Sequence, residues 1–323
     1  MNREFQVSVG FPFRGRGRLS VIQLVSRFLL LYLLACPAWS GNPAYPEEQL
    51  NYTISYRGVF SAMNWIEIAD AVLQTEQQLA PVNGEQAYRS SFQVSTAGHQ
   101  QMEQFYPLRY RFESYFSMDR QRTLLVDEQK LARKERREIV LVDWEQKTTS
   151  RYKKRKAKGR EAGAAESMGA GQGTADLSPV LTELGAEQGE FRQANGADIR
   201  QLDVILDHLS MLHSVRGREL SPGQEIQLPV LDGDEILSYR VRVEKREVLQ
   251  QKGQDWDTLK LRFDALAPGG EGDDSSDPPI YIWLTADTRR IPVRFASDYA
   301  LGRFAGELTA MGDPMGDLVA ALY

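Results

Sequence analysis

The 323-residue chain has a single cysteine, Cys36, and only three histidines, His99, His208 and His213. One cysteine permits neither an intrachain disulfide nor a cysteine-based zinc cluster, so a disulfide-stapled scaffold is excluded. The sequence also lacks an HExxH pair, a GxSxG elbow, a GxxxxGK[ST] phosphate loop and a GxGxxG dinucleotide loop. These absences remove the commoner zinc peptidases, α/β-hydrolases and nucleotide-binding enzymes without removing all enzymes. Excess positive charge is missing as well: the formal net charge of −5 argues against a nucleic-acid-binding protein, whose affinity rests on many Lys and Arg contacts with phosphate. What is present is an ordinary globular composition, 42% hydrophobic and 26% charged, which implies a packed core in one large β domain or two smaller ones.

None of the sparse chemistry-bearing residues forms a convincing constellation. His208 and His213 are five apart on a predicted helix, so they do not share a face as an i, i+4 pair would. Asp207 beside His208 has the chemistry to orient an imidazole, but a solvated helix face accounts for both more simply. His99 in TAGHQQ reads as a turn residue. The acids Asp232, Asp234 and Glu235, and Asp273, Asp274 and Asp277, lack the order of a calcium-binding EF-hand and read as acidic surface loops. No catalytic residue, metal site or cofactor is assigned.

The amino-terminal 40 residues read as an export signal. Arg3, Arg14, Arg16, Arg18 and Arg27 face a single acid, Glu4, and the apolar run FLLLYLLA follows at 28–35; this is the charge-then-apolar order of a signal peptide. Ala38-Trp39-Ser40 offers an A-x-A-like exit that would leave Gly41 first. Two alternatives stand beside it: Leu33-Leu34-Ala35-Cys36 resembles a lipobox that would acylate Cys36, and Leu19–Trp39 has about the length of a retained anchor. A periplasmic location is expected, or a membrane-anchored one under either alternative.

Beyond the signal, apolar residues recur with a period of two. Tyr52, Ile54 and Tyr56, then Tyr88, Phe92 and Val94, then Leu108, Tyr110 and Phe112 each line one side of an extended strand. Ile139 to Val142 and Thr149 to Tyr152 flank the turn-like DWEQKT as a hairpin. The pattern continues at Ile226, Leu228 and Val230; Tyr239, Val241 and Val243; Leu259, Leu261 and Phe263; and Ile291, Val293 and Phe295, with mostly charged residues between. Ile280, Ile282 and Leu284 alternate with Tyr281 and Trp283, so that strand is bulky on both faces and is expected to be central or to line a cavity. The stretch DVILDHLSMLHSV at 203–215 has helical spacing, with Asp203 available as a cap. Residues 154–176 have little to bury and read as a mobile insertion. The expected organisation is a signal peptide (1–40), a first β-rich half (41–152), a basic and Gly/Ala-rich insertion (153–176) and a helix with a second β-rich half (177–323). The fold class is all-β, a curved antiparallel sheet or partly open barrel-like body with one short packed helix.

From Lys130 to Arg160, 13 Lys and Arg face four acids, a formal local charge of +9. Such a tract attracts phosphate or anionic lipid. Lys153, Lys154, Arg155, Lys156 and Lys158 are the candidate contacts to an anionic surface, and Tyr281 and Trp283 the candidate ligand-binding wall on the concave side of the sheet.

The segments LNYTISYRG (50–58), YPLRYRFESYF (106–116), DVILDHLSMLHSVRG, ELSPGQEIQLPV, IYIWLTADTRRIPVRF and LGRFAGEL occur in an order that resembles the DUF3108 family of exported bacterial proteins of unknown function. The resemblance spans about residues 48–309 and implies export, a β-rich body and envelope association, with no catalytic residues to carry over. The function expected is that of a non-enzymatic envelope protein binding an amphiphilic or polymeric envelope component, with anionic lipid or lipopolysaccharide as candidate partners. A structural or assembly factor for another envelope protein, and a hydrolase, are the alternatives.

Overall fold

A strand with one buried face needs apolar side chains at every second position, and ten strands form where that alternation is read, while the strands Trp65–Leu79, Thr123–Leu131, Phe191–Ala194 and Gly302–Gly312 are additional to that reading. The computed structural model describes residues 47–155, 178–186, 190–266, 278–300 and 302–312. They belong to one compact unit, Tyr45–Tyr323. The proposed signal with Cys36, the insertion from 156 to 176 and the GDDSSD loop lie outside the described residues.

The first run of strands is β1 (Glu48–Gly58), β2 (Trp65–Leu79), β3 (Gln86–Ser95), β4 (Arg109–Ser117), β5 (Thr123–Leu131), β6 (Glu135–Asp143), β7 (Thr148–Lys154) and β8 (Phe191–Ala194). The second is β9 (Glu225–Asp232), β10 (Glu235–Gln251), β11 (Gln254–Leu266), β12 (Ile280–Thr285), β13 (Pro292–Tyr299) and β14 (Gly302–Gly312). All belong to one antiparallel sheet, in which each run is a meander and the pairing of β1 with β14 joins the two. The described residues hold three short α-helices rather than the single one expected: α1 (Gln100–Phe105), α2 (Ser178–Glu183) and α3 (His208–Arg216).

The sheet is rolled, and ring contacts measure how tightly. Strands β3 and β13 are four places apart in the sheet order, about 19 Å if the sheet were flat. Yet the Phe92 and Phe295 ring centroids are 6.0 Å apart. Strands β4 and β10 are eight places apart, and the single imidazole of His208 lies 6.1 Å from Phe112 of the one and 5.7 Å from Tyr239 of the other.

The roll does not close into a true barrel. An extended pair of residues, Ile205 and Leu206, stitches β5 to β9: Thr123 N donates to Ile205 O at 2.9 Å, Ile205 N to Gln121 O at 3.3 Å, Leu206 N to Pro229 O at 3.1 Å and Leu231 N to Leu206 O at 2.6 Å. Past the stitch the sheet overlaps itself, with Val126, Val140 and Val142 of β5 and β6 packing in one cluster with Leu231 of β9 and Ile205.

Residues 203–206 therefore precede the helix, and the cap is Asp207, not Asp203. The Asp207 side chain accepts from Leu209 N and Ser210 N, satisfying donors that the first helical turn leaves orphaned. Helix α3 lies inside the roll and buries Met211 and Val215 against Val241, Val243, Leu261 and Leu284. Helix α2 covers the opposite face of β4–β7, where Val180 and Leu181 meet Tyr115, Leu125, Ile139, Leu141 and Tyr152.

Candidate functional site

Helix α3 fills only one end of the roll. Most of its polar contacts are at that end, to Glu48 at the start of β1, Thr75 near the end of β2, Ser90 of β3, Ser114 of β4, Thr123 at the start of β5 and the Arg290 carbonyl, while His208 alone reaches toward the other end, to Tyr239 of β10. At the opposite end, the mouth, β1, β3, β5, β9, β11 and β13 finish and their partners begin.

Toward that mouth the inward-facing apolar side chains run on beyond the helix. Ile54, Phe92, Val94, Phe112, Ile282 and Phe295 belong to the inner face by register, and all are only partly buried. They line an apolar concavity with Leu212 and His208 of α3 at its floor. Phe295 fits there because Gly306 stands opposite it: a Cβ at Gly306 would lie 2.0 Å from Phe295 Cζ. The ring thus lies across a bare backbone and reaches Tyr52 at 5.5 Å and Phe92 at 6.0 Å.

One flank of the mouth is polar. Burial, then the neighbouring Glu138 and Asp232, hold the Glu128 carboxyl above its ordinary value, and the Tyr110 hydroxyl donates to it. Burial first, then the Glu128 charge, raises Tyr110 in turn. His208 Nε2 is 3.2 Å from the Tyr239 hydroxyl. The concavity therefore combines an apolar wall with a narrow set of hydrogen-bonding groups, the usual make-up of a site for an apolar or amphiphilic ligand.

The buried histidine is not half of a nucleophile–base pair. His213 Nε2 is 3.0 Å from Ser90 Oγ and 3.3 Å from Thr75 Oγ1. On the other side of the ring the Arg216 guanidinium is 3.5 Å from Nδ1. A guanidinium only donates, so Nδ1 accepts and Nε2 carries the proton, whereas a base toward Ser90 needs a free lone pair there. Burial, then Arg216 and Arg120, pushes His213 well below its ordinary value and keeps it neutral. Arg216 itself forks onto Glu48 and donates to the Arg290 carbonyl at 2.8 Å, so this group ties α3 to β1 and to the β12–β13 turn. The solvated-helix reading of Asp207 and His208 is corrected as well: Asp207 is buried with partners on β4 and β5, and His208 is half-buried against Tyr239 of β10.

Tyr281 and Trp283 lie on the face of β12 turned away from α3. They are in register with Arg262 and Lys260 of β11 and with Ala296 and Arg294 of β13, while their neighbours Ile282 and Leu284 point to the helix. Lys260 Nζ sits 4.2 Å from the Tyr281 ring centroid and Arg294 5.2 Å from that of Trp283, and Trp283 Nε1 donates to Glu247 at 2.9 Å. The strand is bulky on both faces because both are covered. The concave wall is made instead by Phe92, Phe112 and Phe295, whose signal was present in the period-two pattern.

The basic tract divides into two groups. Arg137 forks onto Asp127 at 2.9 and 2.7 Å and donates to the Leu184 carbonyl, and Arg151 pairs with Glu138 and Asp234; these two belong to the scaffold. Lys153 is 3.8 Å from Glu138, Lys154 is 2.8 Å from Glu135 and 3.6 Å from Glu190, and Arg155 donates to Phe191 O at 3.2 Å. Lys156 and Lys158 lie outside the described residues. His99 caps α1 by position and sits 3.2 Å from Asp70.

No curated protein matches the chain. Among solved structures it is similar to a β-barrel-like protein of a domain of unknown function, DUF1849, from Brucella abortus, at 9% identity and a TM-score of 0.47, over 82% of this chain and 97% of that one. Residues 197–309, which run through α3 and β9–β13 into β14, match the family described as protein of unknown function (DUF3108), a shorter span than the resemblance read from residue 48.

Proposed function

We propose that the chain is a non-catalytic protein of the bacterial envelope that holds the apolar part of an amphiphilic molecule in the mouth of its rolled sheet. The observation that carries this is the mismatch between helix and roll: α3 fills one end, and Ile54, Phe92, Val94, Phe112 and Phe295 face inward at the other while only partly buried. Side chains left so would gain on covering about 25 cal/mol per Å² of apolar surface. Tyr110, Glu128 and His208 supply polar contacts for a head group at the rim. Recognition of another protein through a sheet edge has less to stand on. Strand β8 is four residues long, and β9 is bridged by Leu206; short or covered edges make poor templates for an added strand.

The test is a titration of residues 41–323 with the fluorescent apolar probe N-phenyl-1-naphthylamine, followed by displacement with palmitate. Val94→Asp, which puts a charge on the wall at a partly exposed position, should weaken probe binding by about tenfold or more with an unchanged circular-dichroism spectrum. Tyr281→Ser, on the other face, should leave binding unchanged. No probe binding by the parent protein, or equal binding by Val94→Asp, overturns the proposal.

A further inference from the structure

We infer that the mouth end of the roll is also a docking surface for an anionic lipid bilayer. Three separate connections meet at this end. The β1–β2 tip carries Val59, Phe60 and Met63, exposed by 66%, 76% and 60%, the β3–β4 connection carries Phe105 at 75%, and the β5–β6 turn carries Leu131 at 49%. They are far apart in sequence and share only their place on the rim, on adjacent strands from β1 to β6. Large apolar side chains concentrated at one end of a molecule mark an interaction surface, whereas scattered ones do not.

Charge identifies the occupant. The β5–β6 turn adds Arg133 and Lys134, flanked by Lys130 and Arg136, and among the described residues none of these four forms an ion pair with an acid. The other charged groups on this arc are largely matched within it, Glu103 with Arg109 at 2.9 Å and Glu135 with Lys154 at 2.8 Å. The acids of the β9–β10 turn, Asp232, Asp234 and Glu235, reach the same end where β9 overlaps β5 and β6, and Asp234 is taken up there by Arg151 of β7. An arc of protruding apolar tips beside unneutralised basic side chains complements a bilayer with anionic head groups: the tips enter the interfacial region and the cations meet the phosphates. The same arc borders the concavity, so a docked molecule faces its mouth to the membrane. The docking surface stands on the rim residues alone and does not require the concavity to hold a ligand.

Flotation of residues 41–323 with vesicles made of equal parts phosphatidylcholine and phosphatidylglycerol tests this. The parent protein should float with these vesicles, and raising the salt should release part of it. Phe60→Ser combined with Met63→Ser should abolish flotation. Arg133→Gln with Lys134→Gln should weaken it roughly tenfold to thirtyfold and reduce its salt dependence, with Lys130 and Arg136 retaining the rest. All four positions are exposed, so circular dichroism should not change, and N-phenyl-1-naphthylamine binding should persist in each variant. If the parent stays with the soluble fraction, or if the Phe60/Met63 variant floats as well as the parent, the docking surface is refuted whatever the probe shows. Loss of probe binding in the Val94→Asp protein with flotation retained would separate the two sites.

Discussion

Asp207 has no surface left for water, yet its five donors are two backbone N–H groups and the hydroxyls of Ser114, Thr123 and Ser210. Removing it strips the helix cap, leaves the buried Ser114 hydroxyl short of an acceptor, and leaves Thr123 and Ser210 only each other and the Asp207 backbone carbonyl. Asp207→Ala should therefore destabilise the protein by about 3 kcal/mol, roughly 1 from the cap and the rest from the hydroxyls that lose the carboxylate. Asp207→Asn, which keeps one carbonyl oxygen, should cost less. Urea unfolding checks both, and a change within about 0.5 kcal/mol for the alanine variant would show that the network contributes nothing. The sequence reading placed Asp207 and His208 on a wet helix face because a polar DHLS segment looks solvated in isolation. The signal for the opposite was elsewhere: Thr75, Ser90 and Ser114 stand at inward positions of strands whose neighbouring inward residues are Leu73, Phe92 and Phe112. Polar residues in an otherwise apolar face need buried partners, and α3 supplies them.

Ten strands were legible from their alternation, because period is a local property, whereas β2, β5, β8 and β14 were not singled out by it. Pairing between β1 and β14 was not, since nothing within either strand selects a partner some 250 positions away. The start of α3 was misplaced for a related reason. Val204 and Leu206 fit a helical stripe, but Ile205 and Leu206 are drawn out as an extended bridge by backbone groups of Gln121, Thr123, Pro229 and Leu231. That stitch holds the two ends of the roll together, which gives it a measurable signature. Leu206→Val and Leu206→Pro remove similar side-chain volume, but only proline removes the N–H that donates to Pro229 O at 3.1 Å. The proline variant should be less stable than the valine variant by about 2 kcal/mol. Equal urea midpoints would mean that the bridge bears no load.

At the scale of the whole molecule, overlap of the sheet's ends brings together groups that no segment of sequence places near one another. Glu128 of β5 feels Glu138 of β6, Asp232 of the β9–β10 turn and His208 of α3. The apolar mouth next to it was equally hidden: Phe92 and Phe112 were visible as one-face residues, but how far they are covered depends on the width of the roll against the length of α3. Burial raises the Glu128 carboxyl first, and the like charges raise it further, while His208 and the Tyr110 hydrogen bond act against them. The sign of the consequence follows from linkage. With a folded-state value above the unfolded one, the folded protein keeps a proton that the unfolded chain has released, so this group's contribution falls as pH rises above the ordinary carboxylate range of about 4.3 and levels off past the raised value. His213, held low, contributes oppositely as pH falls below its ordinary value of about 6.5, so total stability does not isolate Glu128. The difference between the parent and Glu128→Gln does, because the amide mimics the protonated acid and still accepts from Tyr110. Glu128→Gln should stabilise the protein near pH 7.5, with the gain shrinking toward zero near pH 4, as read from urea midpoints at the two pH values. If an amphiphile seats beside this group, covering it further, N-phenyl-1-naphthylamine should also bind the parent more tightly at the lower pH, and the variant equally at both. A stability difference that stays constant between the two pH values would show that Glu128 titrates as an ordinary surface acid and does not border a desolvated mouth.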